Sequence, residues 1–336
     1  MLSTLEQSLW PALEQRVKFR VAGRTDAGVS ATGQIVVMDV ASYGAEELVS
    51  VNGDAVGVSG LAAALNTCLP ADLRVTEVVI VPKAFDAGRD CRWKRYRYRL
   101  PPCQLADNDD DGMRVLRMVE SHVARAVRQR AAAVDDDGAQ GVAIDAPPSP
   151  PRRASRRRRG LPPLAITDVA AMRRAAAMLE GTHDFGAFTA RGGDQKGTVR
   201  TIFRCAVEPR TGRVANESTG DAVGMASVDL ASTHRMDSEV EEEAYDIVVE
   251  GDGFLYKQVR IIAGTLLMVG MGLAPPETVL TALSSEGEAG ISGDADDESI
   301  STSTPKSQLR SCGVVGPTLP PERLCLEHIE YDHTSV

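Results

Sequence analysis

The chain has 336 residues, 43% of them hydrophobic and 4% aromatic, with a net charge of −10. That length gives one large domain or two small ones, with a core built mainly from aliphatic side chains. No apolar run reaches the roughly 18 residues of a membrane span, and none of the six cysteines forms a C-x-x-C pair of the zinc or redox kind.

In chain order, Ser3 to Arg16 fits an amphipathic helix with Leu5, Leu9, Ala12 and Leu13 on one stripe. Val17 to Ala22 reads as a strand leading into a turn with glycines at both ends, Gly23 to Gly28. Gly33 to Val40, Val75 to Val81 and Trp93 to Leu100 read as strands, and Val58 to Leu65 as a helix closed by Asn66 and Leu69-Pro70. Cys103 to Pro163 runs from acids through an Arg- and Ala-rich piece to PPSPPRRASRRRRG. It reads as a disordered insertion, with a short helix inside it from Arg114 to Ala133.

Beyond it, Asp168 to Glu180, Leu255 to Gly270 and Pro276 to Leu283 read as helices. Thr198 to Val207, Tyr245 to Glu250 and Cys325 to Tyr331 read as strands. Asn216 to Glu243 and Ser284 to Gln308 are rich in Ser, Thr, Gly and acids and read as further insertions. They carry −7 and −5, so the rest of the chain is at +2, a balance open to a nucleic-acid partner. The expectation is an α+β fold in two lobes: residues 1–102, then the insertion 103–163, then 164–336.

The most informative stretch is Gly23-Arg24-Thr25-Asp26-Ala27-Gly28-Val29-Ser30-Ala31. It places one carboxylate between glycines that permit close approach of a ligand. A capping Asp in a turn is the plain reading of such a segment in isolation. A phosphate-binding loop lacks support, since no G-K-[ST] is present and the central acid would repel phosphate. Arg260 is the only charge from Val259 to Leu273, so a buried Arg260 needs a partner. Arg89 to Arg99 holds six basic residues against Asp90, with Trp93, Tyr96 and Tyr98 between them. Alternation puts Arg95, Arg97 and Arg99 on one face and Tyr96 and Tyr98 on the other. That pattern fits a solvated edge strand, or a phosphate-tracking face backed by a tyrosine that stacks on a base.

The nine residues GRTDAGVSA resemble the signature loop of the TruA-type tRNA pseudouridine synthases. Leu65 to Asp72, the R-Y-R-Y run Arg95 to Tyr98, Gly181 to Phe188, Thr198 to Ile202, Phe254 to Arg260, Gly316-Pro317 and Arg323-Leu324 resemble further segments of that family. The resemblance implies two ferredoxin-like or RRM-like lobes of antiparallel sheet with outer helices and a cleft between them. It makes Asp26 the catalytic nucleophile and Arg260 its partner. It places Tyr96 in the uridine pocket, gives Arg24 the space left by a flipped uridine, and adds Arg95 and Leu324 as substrate contacts. It implies tRNA as substrate, modified around positions 38–40 of the anticodon stem-loop, and a homodimer, with no cofactor, metal or membrane.

Three departures stand out. Ser30 replaces the usual bacterial His, as in eukaryotic relatives; the family's opening strand is absent, which predicts an open edge on the Val17 to Ala22 strand; and Phe85-Asp86-Ala87-Gly88-Arg89 displaces an arginine by one position. The runner-up is a catalytically silent RNA-binding or RNA-remodelling relative. The expected compartment is cytoplasmic, nuclear or organellar rather than secreted, since Met1 to Leu13 has no basic cluster.

Overall fold

The structure, a computed structural model, describes residues 2–41, 49–103, 109–136, 165–190, 197–210, 243–284 and 313–332, with side chains in the third of these segments up to 129. The acidic segments 216–242 and 285–308, and residues 137–163, lie outside the described residues.

Helix α1 (Leu2–Leu13) buries Leu5, Leu9, Ala12 and Leu13, the stripe the spacing predicts, and ends at Glu14, which turns to a φ of 52°. The Trp10 indole N–H donates to the Val17 carbonyl at 2.9 Å and fixes the exit of the chain. Strand β1 (Lys18–Val21) leads into the loop that carries Asp26. The chain then passes β2 (Ser30–Ala31) and returns as β3 (Val36–Asp39), antiparallel to β1. These two strands form a sheet of their own, so β1 carries a ladder on one side among the described residues. A hairpin of β4 (Val49–Val51) and β5 (Asp54–Val56) turns at Asn52 and Gly53, both left-handed, as a tight Asn-Gly turn requires. Helix α2 (Val58–Cys68) completes a small core of Leu5, Leu9, Leu13, Phe19, Val49, Leu61 and Leu65.

The larger core lies on a six-stranded sheet in the order β2, β10, β6, β9, β8, β7. Its strands are β6 (Cys91–Arg99), β7 (Gly181–Asp184), β8 (Val199–Pro209), β9 (Tyr245–Gly251) and β10 (Leu324–Tyr331), with β2 joining at one edge. All pairings are antiparallel except β2 with β10. Along β6, Tyr96 and Tyr98 face the core, while Arg95, Arg97 and Arg99 face away from it, as alternation predicts.

Four helices accompany this sheet: α3 (Asp110–Asp136), α4 (Val169–Ala177), α5 (Gln258–Gly270) and α6 (Thr278–Leu283). The α4 N-terminus is capped by Asp168, whose carboxylate accepts from the Ala171 N–H at 2.7 Å. All thirteen residues of α5 are buried. Its small residues let other backbone approach: a Cβ on Gly264 would collide with the Pro317 carbonyl.

Two expectations need correction. Part of the segment read as a disordered insertion is the long helix α3, which places Val115, Leu116 and Val119 in the main core with no exposure. The helix expected from Arg114 to Ala133 is therefore present and longer, and what the reading missed is its burial in the main core. Val75 to Val81 joins no sheet among the described residues: Asn66 takes over the backbone hydrogen bonds of Val75, and Val79 and Ile80 are exposed. The short strands β2, β4, β5 and β7 fell below what alternation can signal.

Candidate active site around Asp26

Arg260 lies in the first turn of α5, 8% exposed within an apolar helix. Its Nε donates to the Leu319 carbonyl at 2.7 Å, and one terminal nitrogen donates to Asp26 Oδ2 at 2.6 Å. The Leu319 N–H returns a bond to the Arg260 carbonyl at 3.3 Å. The guanidinium is thereby aimed before any substrate arrives, and the ion pair matches a charge that burial alone would penalise. Sequence reasoning found both members of this pair.

The loop carrying Asp26 is held on several sides. The Asp26 carbonyl accepts from the Val29 N–H at 3.1 Å, closing a turn. Gly28 stands at a φ of 84°, and a Cβ there would lie 3.0 Å from Pro321 Cγ. Beyond it, β2 runs parallel to β10, and the Thr32 N–H donates to the Leu326 carbonyl at 2.9 Å. At the other end, Gln34 Nε2 donates to the Gly23 carbonyl and Lys94 Nζ to the Ala22 carbonyl, each at 2.8 Å. Sequence reasoning missed these two anchors. Alternation along β6 could have found Lys94, because it shares the face of Tyr96 and Tyr98.

Tyr96 is buried, edge-on to Phe254 with ring centroids 5.3 Å apart and planes at 88°. Burial, reinforced by the negative charge of Asp26, pushes its hydroxyl up to about 12. The phenol is therefore neutral at physiological pH. Tyr98, next along that face, donates its hydroxyl to the Pro320 carbonyl at 3.2 Å.

The other expected substrate contacts are less alike. Arg24 is exposed and has no hydrogen bond or ion pair among the described residues. Leu324 is buried opposite Tyr98 in the sheet. Arg95 pairs with Glu250 at 2.8 Å and lies over the Trp93 ring. Arg97 contacts Glu327, Glu208 and Asp246 at 2.6, 3.2 and 3.5 Å. These two arginines form a cross-strand charge network rather than the open cationic face that the basic run suggested. Arg89, the displaced arginine, is tied to Asp90 at 2.9 Å.

A carboxylate fixed by a buried guanidinium, beside a buried neutral phenol, is suited to nucleophilic chemistry on a ring that stacks against the phenol. Among the described residues, no group of three or more His, Cys, Asp or Glu is placed to hold a metal, and the five described cysteines are free thiols. No helix among them is long and apolar enough to cross a membrane.

The profile of a tRNA pseudouridine synthase family matches residues 175–300. A tRNA pseudouridine synthase A of Myxococcus xanthus is 31% identical over 329 residues, covering 98% of this chain and 82% of the relative. The chain belongs to the tRNA pseudouridine synthase A family. As a pseudouridine synthase it is an isomerase. Similar proteins of the same description come from Nitratidesulfovibrio vulgaris, 31% identical over 267 residues (78% of this chain, 73% of the relative), and Shouchella clausii, 28% over 317 residues (94% and 78%). Within this pseudouridine synthase, the loop with Asp26 and the helix with Arg260 lie far apart in sequence, and the final sheet strand β10 braces the loop between them.

Proposed function

We propose that this chain converts uridine to pseudouridine in the anticodon stem-loop of tRNA, with Asp26 as the nucleophile. The observation that carries the proposal is the Asp26–Arg260 pair, a carboxylate aimed by a buried cation in the family's signature loop. The bond between C1′ and N1 breaks, the freed uracil turns, and C1′ joins C5. N1 gains a proton and C5 loses one, so the product is an isomer. Attack on C1′ and removal of the 2′ proton toward a glycal both use the same ionised carboxylate, which is a nucleophile and also a competent leaving group.

Arg260 orients Asp26 through the 2.6 Å contact. Tyr96 stacks on the base, and its neutral hydroxyl stays available as a donor. Arg24, exposed and without a partner among the described residues, fills the gap left by the flipped nucleotide. Leu324, on the strand beside Tyr98, borders the pocket, whereas Arg95 lies on the other face of β6 and is paired with Glu250, so a contact from it would reach RNA outside the pocket. We read the two hydrophobic clusters as the cores of two lobes with the site between them; the boundary expected at residue 102 moves, because β6 and the buried face of α3 join the larger core with residues 164–336. We read the functional unit as a homodimer sharing one tRNA, and Ser30 as the eukaryote-like form of the loop.

The test is tritium release from tRNA labelled at uridine C5, with the modified positions mapped, comparing wild type with Asp26→Ala. Release by wild type and none by the variant is expected. Release by both would remove Asp26 from the mechanism. Tight tRNA binding by wild type without release would favour the silent RNA-binding relative.

A further inference from the structure

Helix α3 has a second face that the chemistry above does not use. Arg114, Arg117, Arg125 and Arg128 are all exposed, and none has a hydrogen bond or ion pair among the described residues. At 3.6 residues per turn they fall within an arc of about 80°. The buried Val115, Leu116, Val119 and Ala126 lie on the opposite side of the helix. The arginine row extends over about 21 Å at 1.5 Å per residue. Asp110, exposed one turn before Arg114, is the acid on the same arc among the described side chains.

This row differs from the arginines of the sheet. Arg95, Arg97, Arg204 and Arg210 each meet a carboxylate. In a protein of net charge −10, two pairs of cations on one arc, without partners among the described residues, form a local field of opposite sign. The helix is also firmly mounted. His122 Nε2 lies 3.0 Å from the Val315 carbonyl, and Asp111 pairs with Arg323 at 2.7 Å. Arg323 ends the short turn Pro321–Arg323, whose Pro321 and Glu322 lie against Gly28 of the Asp26 loop. The row therefore begins one turn from a residue joined to the wall of the active site.

We propose that the exposed face of α3 is an RNA-backbone rail, on which Arg114, Arg117, Arg125 and Arg128 contact phosphates of the substrate outside the reacting nucleotide. Planar guanidiniums with free donors suit phosphate oxygens. A rail of this length spans several phosphates and adds affinity without reading sequence. It rests on the proposed function for the identity of the RNA, but its binding test does not depend on turnover.

The experiment replaces all four arginines with Gln and measures tRNA affinity from low to high salt. Each lost phosphate contact lowers the salt slope of log K by roughly 0.7–0.9, so the full variant loses about 3 and binds at least about tenfold more weakly at low salt. A four-Lys variant retains most of the affinity, because charge at the same places is kept. Gln at Arg16 and Lys18, both exposed on the smaller unit, serves as the control and changes the slope by less than about 1. In turnover, KM for tRNA rises while kcat stays within about twofold. An unchanged slope in the four-Gln variant with an intact thermal melt, or a change no larger per charge than the control, overturns the proposal. Tritium-silent wild type that shows the predicted slopes would remove the proposed function and leave the rail.

Discussion

Arg260 and Asp26 are 2.6 Å apart, but their side chains are unequally buried, at 10% and 24% exposure. Removing Asp26 strands a cation inside an apolar helix, whereas removing Arg260 leaves a carboxylate that water can reach. The two halves of the pair therefore have different effects on stability.

Asp26→Ala is expected to destabilise the fold by about 2–3 kcal/mol, below the roughly 3–5 kcal/mol of a fully buried broken pair because Asp26 is partly exposed. Arg260→Met is expected to cost less, and urea unfolding of the two variants measures the difference. Both lose turnover by orders of magnitude. Near-normal turnover in Arg260→Met would show that the guanidinium does not serve the reaction.

Tyr96 gives a pH prediction. Its hydroxyl is held up at about 12, against the ordinary tyrosine value of 10.0. Between these values the unfolded chain loses this proton and the folded chain keeps it. The stability from the neutral phenol is thus full below pH 10 and is lost as pH rises toward 12. Tyr96→Phe should flatten that alkaline loss in pH-dependent unfolding, and an unchanged slope would contradict the assignment. Turnover of Tyr96→Phe should fall less than about tenfold, because the ring remains, and Tyr96→Ala should fall by roughly 10–100-fold with the loss of stacking.

Lys94 is expected to act as a positioning residue for the Asp26 loop. Lys94→Met removes a charged donor from the Ala22 carbonyl, a bond worth about 1.5–3 kcal/mol, so kcat should fall at least about tenfold. KM for tRNA should stay within about twofold, and Lys94→Arg should recover much of the rate. A loss confined to KM would make Lys94 an RNA contact instead.

Gly264→Ala is a test remote from substrate. The added methyl would collide with the Pro317 carbonyl two residues before Leu319, the carbonyl that orients Arg260. The expected result is destabilisation of about 1–3 kcal/mol from overpacking, with a fall in kcat from the displaced guanidinium. A stable variant with normal kcat would mean that the Leu319 contact is dispensable.

Much of this was legible in the sequence because the signals were dense. The leucine spacing in α1, the lone arginine of α5 and the alternation along β6 each reflect a local period set by burial. What escaped depended on partners distant in the chain. Strand β2 is two residues long and exists because β10 lies beside it. Val75 to Val81 has the composition of a strand, yet no ladder forms on it, since ladders are made between segments. The arginines of β6 looked like a site for phosphate because the carboxylates that meet them lie on β8, β9 and β10. Helix α3 was legible as a helix, but its charged surroundings gave no sign that Val115, Leu116 and Val119 pack into the main core.

The sequence separation of 234 between Asp26 and Arg260 also sets a delay during synthesis. At about 5–20 residues per second, Arg260 is made roughly 10–50 s after Asp26. Leu319 and β10, which hold the cation and brace the loop, come later still. During that interval the nascent chain carries its carboxylate with no counterion to aim it, while α3 has already been translated with its row of arginines. A ribosome that stalls between α3 and α5 would hold a chain that carries the proposed RNA rail but lacks the cation that aims Asp26.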